Sequence, residues 1–319
     1  MQEELPSLKE ALALANSARV DEAIQIIERH AERGSGEALF ILGDAYWRGV
    51  GVAQDFRRGR ELFGEAAKAA FPMAEKAYTN LLGSGIGGER HWAEALRRLE
   101  HEASTDGLRA RMFDVVRAMH LDENGDPSQL PVAETLAERP HVTMFRNAFS
   151  AAECAFLRMI AEPTYERAGV VVSPGETIRA FLRTAAGSTV HWLIEDPASH
   201  AINRRLAALT RTDVTQGEPL QMLRYEPGQE YREHLDFLED PNRRVLTALI
   251  YLNDDYEGGE TAFTKIGLKV KGRTGDALVF KSLGPDGNAD PLSWHAGLPV
   301  LRGTKYLASR WIRERRFRP

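Results

Sequence analysis

A period of 36 residues in the first third of the chain is the feature that most restricts its fold. Small residues recur at this interval in three columns: Ala23, Gly59 and Ala95; Ala31, Ala67 and Ala103; and Ala38, Ala74 and Ala110. Gly49 and Gly51 recur as Gly85 and Gly87. Periods of about 34 to 40 residues are typical of stacked helical hairpins, because small side chains let two helices approach closely and glycine ends a helix. We therefore predict a helical repeat array over residues 1–120.

The segment EALFILGDAYWRGVGVAQDFRRGRELFGEAAKAA resembles the Sel-type repeat, a relative of the tetratricopeptide repeat. The resemblance covers residues 36–110. Arrays of this kind present an extended concave surface to a partner. Two roles are open for the array: it docks a peptide or protein partner, or it only stabilises the rest of the chain.

The pattern changes after the repeats. Residues 121–140 are polar, contain three prolines and are predicted to be a linker. The following half predicts one strand at 141–145, a helix with Ser150 as its N-cap, and from Gln221 onward several short β-rich runs separated by turn signals. Many short strands at this spacing favour a sandwich or a jelly roll. The predicted fold class is α+β, with the helical array first and the β-rich domain at residues 141–319.

Composition excludes several classes of protein. The net charge of -5 and the pI of about 6.0 argue against nucleic acid as a partner. No run of 18 apolar residues is present, so we expect no membrane association. Cys154 is the single cysteine, which we expect in the core, and the absence of a disulfide pair fits a reducing compartment. The N-terminal stretch lacks the basic region and apolar core of a secretory signal, so a cytoplasmic location is predicted.

His234 and Asp236 form a candidate metal site in the β-rich half. Residues i and i+2 of a strand point to the same side, so both side chains can bind one ion. His295 offers a third ligand. Two histidines and a carboxylate are the ligands of non-haem Fe(II) enzymes, which keep open positions for cosubstrate and O2, but zinc hydrolases also use this set. The three residues alone leave iron and zinc open.

Lys305, ten residues after His295, favours iron. A buried cation near a metal requires an anionic partner, because an unpaired charge is costly to bury. The far carboxylate of 2-oxoglutarate is such a partner, and Tyr225, nine residues before His234, could donate its hydroxyl group to it.

Residues 140–319 resemble the prolyl 4-hydroxylase branch of the 2-oxoglutarate dioxygenases. The shared motifs are Tyr-x-x-Gly-x-x-Tyr-x-x-His-x-Asp, Tyr-Leu-Asn, Gly-Gly-Glu-Thr and His-x9-Lys. The resemblance implies a double-stranded β-helix (jelly roll), Fe(2+), 2-oxoglutarate and O2, with ascorbate as reductant. By position it assigns iron to His234, Asp236 and His295, the cosubstrate to Lys305, Tyr225, Thr261 and Tyr251, and the substrate peptide to Tyr231, Arg244 and Trp311.

The expected activity is therefore hydroxylation of an amino-acid residue, such as proline, in a peptide or protein, with succinate and CO2 as co-products. A carboxylate at position 236 favours hydroxylation over halogenation, because related halogenases leave that position small. Arg183-Thr184-Ala185 departs from the Arg-Thr-Ser of relatives, and the substrate-facing loops are expected within residues 165–190. The alternatives are a hydroxylase of a free amino acid or small metabolite and, more remotely, a non-catalytic adaptor based on the repeats.

Overall fold

The computed structural model describes residues 5–167, 170–173, 176–178, 182–191 and 195–317. The described residues up to Phe113, together with residues 195–200, form one compact unit, and the other described residues form a second. None of the described helices is both long and apolar enough to cross a lipid bilayer.

Seven helices make up the N-terminal part of the chain. They are α1 (Leu8–Asn16), α2 (Val20–Glu32), α3 (Gly36–Arg48), α4 (Phe56–Lys68), α5 (Pro72–Ser84), α6 (Trp92–Ala103) and α7 (Gly107–Ala118). The first helices of the three hairpins begin at Val20, Phe56 and Trp92, which are 36 residues apart. The helical repeat expected from the sequence period is therefore confirmed, and it includes a third hairpin, α6 and α7.

The small residues act as their period predicts. Ala23, Gly59 and Ala95 are all buried, and a Cβ atom on Gly59 would lie 3.0 Å from the Gly43 carbonyl oxygen, so α3 and α4 depend on this glycine for their close approach. Gly49 ends α3 in the left-handed conformation, with φ of 71°, which glycine adopts without steric cost.

Sixteen strands and two further helices are described in the rest of the chain. The helices are α8 (Ala151–Ala161) and α9 (Pro197–Thr210). The first eight strands are β1 (Ala133–Ala137), β2 (Val142–Phe145), β3 (Glu166–Arg167), β4 (Val170–Ser173), β5 (Glu176–Ile178), β6 (Ala186–Val190), β7 (Leu220–Tyr225) and β8 (Tyr231–His234). The others are β9 (Arg244–Tyr251), β10 (Glu257–Gly258), β11 (Thr261–Phe263), β12 (Leu268–Val270), β13 (Ala277–Lys281), β14 (His295–Gly297), β15 (Val300–Arg302) and β16 (Lys305–Arg313).

Two antiparallel sheets place the functional residues. The larger has eight strands in the order β1-β2-β13-β9-β16-β7-β6-β3, and the smaller has four in the order β12-β11-β14-β8. Large side chains such as Tyr251, Phe263 and Phe280 are fully buried in one core cluster, to which both sheets contribute residues. This is the jelly-roll arrangement expected from the sequence, and with the helical array it confirms the α+β fold class. Ser150 caps α8 with a capping box, as predicted.

The segment 121–140, which we expected to be an irregular linker, contains a strand. β1 pairs with β2 and forms an edge of the eight-stranded sheet. The residues of β1 are exposed or half-buried, so the sequence has no alternation of apolar residues that would predict this strand. The division into residues 1–120, 121–140 and 141–319 remains a proposal, with β1 assigned to the sheet domain.

Cys154 is buried, as expected. Several arginines lie near the C-terminal end of the sequence, and two of them are buried in the larger sheet. Arg310 and Arg313 on β16 are 2% and 6% exposed. Arg310 donates to the backbone carbonyl groups of Asn203, Val214 and Glu218, which explains how the sheet accommodates a buried guanidinium group.

Candidate active site

His234 and His295 face each other across the smaller sheet. His234 is the last residue of β8, and His295 is the first residue of β14 and its direct partner in the antiparallel register. The two ring centroids lie 4.2 Å apart. Directly opposed residues in an antiparallel pair hold their side chains at a fixed short distance, so the sheet itself sets the spacing of the two imidazoles.

The hydrogen bonds of both rings leave the same nitrogen for the site. Nδ1 of His234 lies 2.8 Å from the Arg232 carbonyl oxygen, and Nδ1 of His295 lies 3.0 Å from that of Ser293. Because a carbonyl group only accepts, each Nδ1 carries a proton, and Nε2 is the nitrogen of each ring that is left to bind a metal. Burial, and then the neighbouring His234, lower the pKa of His295 to about 4, so this ring is neutral at physiological pH.

Asp236 completes the cluster from an irregular segment just beyond β8. Its Oδ1 lies 3.6 Å from Nε2 of His234, and its Oδ2 lies 3.5 Å from Nε2 of His295. The hydroxyl group of Thr247 donates to Oδ2 at 2.6 Å. Burial alone would raise the pKa of Asp236, but the two histidines and this hydrogen bond hold it well below its ordinary value, so the carboxylate is ionised.

The three side chains fit a divalent transition metal. One ligand atom from each lies within 4.8 Å of the others, all three residues are buried, and no other such group is present among the described residues. Two imidazole Nε2 atoms and one carboxylate are donors that Fe(II) accepts on one face, leaving its other face open.

An inner cavity extends from the cluster to Lys305. Its wall includes Tyr225, Thr261 and His295 as well as the lysine side chain. Lys305 pairs with Tyr225 in the register of β16 and β7, which places its ammonium group 5.5 Å from the centre of the tyrosine ring. Burial raises the pKa of Tyr225 to about 12, so its hydroxyl group keeps its proton and can donate.

Lys305 is a buried cation that forms no salt bridge in the described part of the chain, although the charge of Glu260 acts on it at longer range. It is 3% exposed, and its Nζ donates to the Gly259 carbonyl oxygen at 2.7 Å. Burial lowers the pKa of Lys305 to about 8. An incoming carboxylate would relieve this cost, which makes the lysine a ready anchor for an anion.

Tyr251 lies behind this wall rather than in it. It is fully buried, and its hydroxyl oxygen lies 3.2 Å from Oγ1 of Thr261. Its ring centre is 5.9 Å from Nζ of Lys305. Of the four residues expected at the cosubstrate, the structure therefore brings three to the cavity and places Tyr251 as a support for Thr261.

An outer cavity of about 360 Å³ also borders the cluster and shares part of its wall with the inner one. Its wall includes Tyr231, Arg244 and Trp311, which the sequence assigns to substrate, together with His234 and Asp236. Tyr231 stacks on His234 with ring centroids 3.5 Å apart. The three expected residues thus share one cavity, and Tyr231 also contacts a metal ligand.

Arg183 also lines this cavity. The sequence comparison named it only within Arg183-Thr184-Ala185, which departs from the Arg-Thr-Ser of relatives. It is 2% exposed and lies over the ring of Tyr231 at 4.1 Å. It donates to the side-chain oxygen of Gln221 at 2.8 Å, whereas its Nε has no hydrogen-bond partner in the described structure. Arg183 lines both cavities, so it presents a buried positive charge beside the cluster.

Arg244 is held by Glu218, which sequence reasoning did not identify. Glu218 accepts both hydrogen bonds of a bidentate pair with Arg244, at 2.6 and 2.8 Å, and a third from Arg313 at 2.5 Å. The guanidinium group of Arg244 lies 4.1 Å from the ring centre of Trp311. The carboxylate therefore fixes a cation against the indole in the cavity wall.

Similar proteins agree with this arrangement. Residues 220–313 match the family model of the 2OG-Fe(II) oxygenase superfamily. Prolyl 4-hydroxylase 1 of Arabidopsis thaliana is 36% identical over 203 residues, which cover 57% of this chain and 72% of that protein. The chain belongs to the prolyl 4-hydroxylase family of these oxygenases.

Two solved structures are also similar to parts of the chain. The viral collagen prolyl hydroxylase of Paramecium bursaria Chlorella virus-1, in its 2-oxoglutarate complex, is 25% identical, with a TM-score of 0.42, and covers 54% of this chain and 95% of that one. A Sel1 repeat protein from Oxalobacter formigenes is 27% identical, with a TM-score of 0.29, over 31% of this chain and 41% of that one.

Membership of the family confirms the expected reaction class. The protein described by this structure is a 2-oxoglutarate-dependent dioxygenase that uses Fe(2+), 2-oxoglutarate and O2. The buried His-Asp-His cluster fits iron, and the family match resolves the choice between iron and zinc that the three residues alone left open.

Proposed function

We propose that the enzyme hydroxylates a proline residue within a peptide or protein. The observation that carries the proposal is that the metal cluster borders two cavities that share part of their wall. One reaches the buried Lys305, and the other reaches the Arg244–Glu218 pair. The names of the similar curated proteins support proline as the target. When bound, Fe(II) with 2-oxoglutarate and O2 supplies the oxidising power needed to hydroxylate an unactivated C–H bond.

The inner cavity suits 2-oxoglutarate. We assign the metal to His234, Asp236 and His295, and the far carboxylate of the cosubstrate to Lys305 and the Tyr225 hydroxyl group. Thr261 lines the same cavity and is held by Tyr251. A cation and a neutral hydroxyl donor form charge-assisted hydrogen bonds to a carboxylate, and in a buried site these bonds are strong.

The outer cavity suits a peptide. The Trp311 indole N–H has no hydrogen-bond partner in the described structure, and neither does Nε of Arg183. Both groups are donors, and the backbone carbonyl groups of an extended peptide are acceptors. The flat faces of Tyr231 and Trp311 are suitable surfaces for a pyrrolidine ring, which has apolar faces.

The direct test is a substrate screen with purified enzyme, Fe(II), 2-oxoglutarate and ascorbate. Proline-containing peptides and free amino acids are offered, and mass spectrometry follows the gain of one oxygen atom together with succinate. We expect oxygen on a peptidyl proline, with one succinate for each hydroxylation. Oxidation of a free amino acid but of no peptide would overturn the peptide assignment in favour of the small-metabolite alternative.

Asp236→Ala is the matching loss-of-function variant. It removes one of three ligands, so both succinate formation and hydroxylation should fall to background. Glu233→Ala is the control, because Glu233 is exposed on β8, three residues before Asp236, and contacts Lys265 instead of the cluster. Full turnover by Asp236→Ala would exclude the metal assignment.

We further propose that the helical repeats dock part of a peptide substrate. A groove of about 480 Å³ lies among α3, α4 and α5, with Phe40, Trp47 and Phe63 in its wall. The centroids of Phe40 and Phe63 are 5.3 Å apart, so the wall is a continuous aromatic surface. Proline-rich peptides in the polyproline II conformation bind aromatic-lined grooves with little loss of conformational entropy.

Peptide length separates docking from a purely stabilising role. Phe40→Ala should raise KM roughly 10-fold, or about 1.4 kcal/mol, for long proline-rich peptides and leave KM for short ones unchanged. Met73→Ala is the control, because Met73 is 58% exposed on α5 and does not line the groove. Equal KM values for long peptides in wild type and Phe40→Ala would leave the repeats a structural role only.

A cytoplasmic location, the use of ascorbate and the lack of a nucleic-acid partner remain predictions from the sequence. The adaptor alternative is not favoured, because the chain belongs to an enzyme family and retains the ligand cluster.

A further inference from the structure

Thr247 is the residue that no motif identified and that touches the metal site directly. It lies on β9, in the middle of the eight-stranded sheet, and is 1% exposed. Its neighbours in the register are Phe280 on β13 and Trp311 on β16. A hydroxyl group buried among such side chains is costly unless it forms a hydrogen bond, and it forms one with Oδ2 of Asp236 at 2.6 Å.

The three proposed ligands are fixed in different ways. His234 and His295 lie opposite each other in a strand pair, and each ring is held by its own hydrogen bond to a backbone carbonyl group. Asp236 lies outside the strands, in the irregular segment that follows β8. Its carboxylate can therefore rotate about its side-chain bonds unless another group holds it.

We propose that Thr247 is a positioning residue that presents Asp236 to the metal through Oδ1. The hydroxyl proton occupies Oδ2, which leaves Oδ1, the oxygen nearer to Nε2 of His234, as the better metal ligand. Groups that hold a metal-binding side chain in its productive orientation strengthen metal binding without contacting the ion. The inference rests on the proposed metal site and adds to it the group that orients the third ligand.

Three substitutions at this position separate the hydroxyl group from the volume of the side chain. Thr247→Val keeps the shape and removes the donor. Thr247→Ser keeps the donor and removes a methyl group, and Thr247→Ala removes both. Thr143→Val is the matched control, because Thr143 is a buried threonine of β2 in the same sheet whose hydroxyl group lies 3.1 Å from His141 instead.

The first measurement is the binding of Mn(II) and Co(II) to the metal-free protein, without O2 or 2-oxoglutarate. Thr247→Val and Thr247→Ala should weaken binding roughly 10- to 100-fold, the range found for groups that orient metal ligands. Thr247→Ser should stay close to wild type, and so should Thr143→Val. The visible absorption of bound Co(II), which reports its ligand environment, should change in Thr247→Val and not in Thr247→Ser.

Thermal unfolding of the metal-free variants provides the second measurement. Loss of affinity in Thr247→Val without a matching loss of stability, rescued by Thr247→Ser, supports the positioning role. Wild-type affinity in Thr247→Val overturns it, as does equal weakening in Thr247→Val and Thr247→Ser. If Thr247→Val does not fold, the comparison of Thr247→Ser with Thr247→Ala decides in the same way. A wild-type protein that binds neither ion would instead overturn the metal site itself.

Discussion

The inner and outer cavities both border the metal cluster but differ in part of their lining residues. The inner one, about 40 Å³, is enclosed by strand residues and ends at one buried lysine. The outer one, about 360 Å³, carries the Arg244–Glu218 pair, whereas Arg183 and Trp311 line both cavities.

This difference separates what is common to the reaction from what is particular to the substrate. A single cation and one hydroxyl donor suffice to recognise the end of a dicarboxylate. A peptide offers many groups, and the outer wall provides several hydrogen-bond donors and aromatic faces to contact them. Substitutions on the two sides should therefore affect different kinetic constants.

The largest effect is expected on the inner side. Lys305→Met keeps most of the side-chain volume and removes the charge, so KM for 2-oxoglutarate should rise roughly 100-fold or more, since loss of one partner of a buried charge pair costs about 2–5 kcal/mol. Steady-state succinate formation at varied 2-oxoglutarate measures this. KM for the peptide should remain within about twofold, and a larger change there would contradict the separation of the two sides.

A smaller effect is expected on the outer side. Arg183→Gln should raise the peptide KM roughly 10- to 100-fold, because a hydrogen bond from a charged group contributes about 1.5–3 kcal/mol. KM for 2-oxoglutarate should change little. Arg302→Gln, at an exposed position on β15, is the control. Since Arg183 lines both cavities, a rise confined to the 2-oxoglutarate KM would assign it to the inner side instead.

The smallest effect is a pH dependence that only the inner side should show. Burial lowers the pKa of Lys305 to about 8, so the ammonium form predominates below pH 8 and is lost above it. KM for 2-oxoglutarate in wild type should be flat below pH 8 and rise about 10-fold between pH 8.5 and 9.5. Lys305→Arg stays charged and should abolish the rise. A flat wild-type profile to pH 9.5 would show that the lysine charge is not lost in this range.

Much of the fold could be predicted because its signals are local. The 36-residue spacing of small residues gave three hairpins whose first helices begin at Val20, Phe56 and Trp92. The short β-rich runs separated by turn signals predicted strands in the second half, and β9 and β16 are among them. β1 was missed because an edge strand needs no apolar face, and its pairing with β2 depends on a turn that carries Arg139-Pro140.

The site was predictable to the extent that its parts lie in motifs. His234 with Asp236, and His295 with Lys305, are close in sequence. The expectation that His234 and Asp236 share a strand is wrong, because β8 ends at His234 and Asp236 follows in an irregular segment. The hydrogen bond from Thr247 to Asp236 depends on the direction of a side chain just beyond the end of a strand. The ion pairs of Glu218 with Arg244 and Arg313 join residues that are far apart in sequence. Such contacts follow from tertiary packing, which no local pattern encodes.

The pairing of His234 with His295 also affects how the domain folds. These residues are 61 positions apart, so the β8–β14 pair closes a long loop, and contacts over such separations form slowly. A metal ion that binds both imidazoles binds only the closed arrangement, and a ligand present at 100 times its Kd stabilises the state it binds by about 2.7 kcal/mol. A bound ion would therefore stabilise the β8–β14 pair of the smaller sheet. We expect the supply of iron to affect how long the domain stays folded.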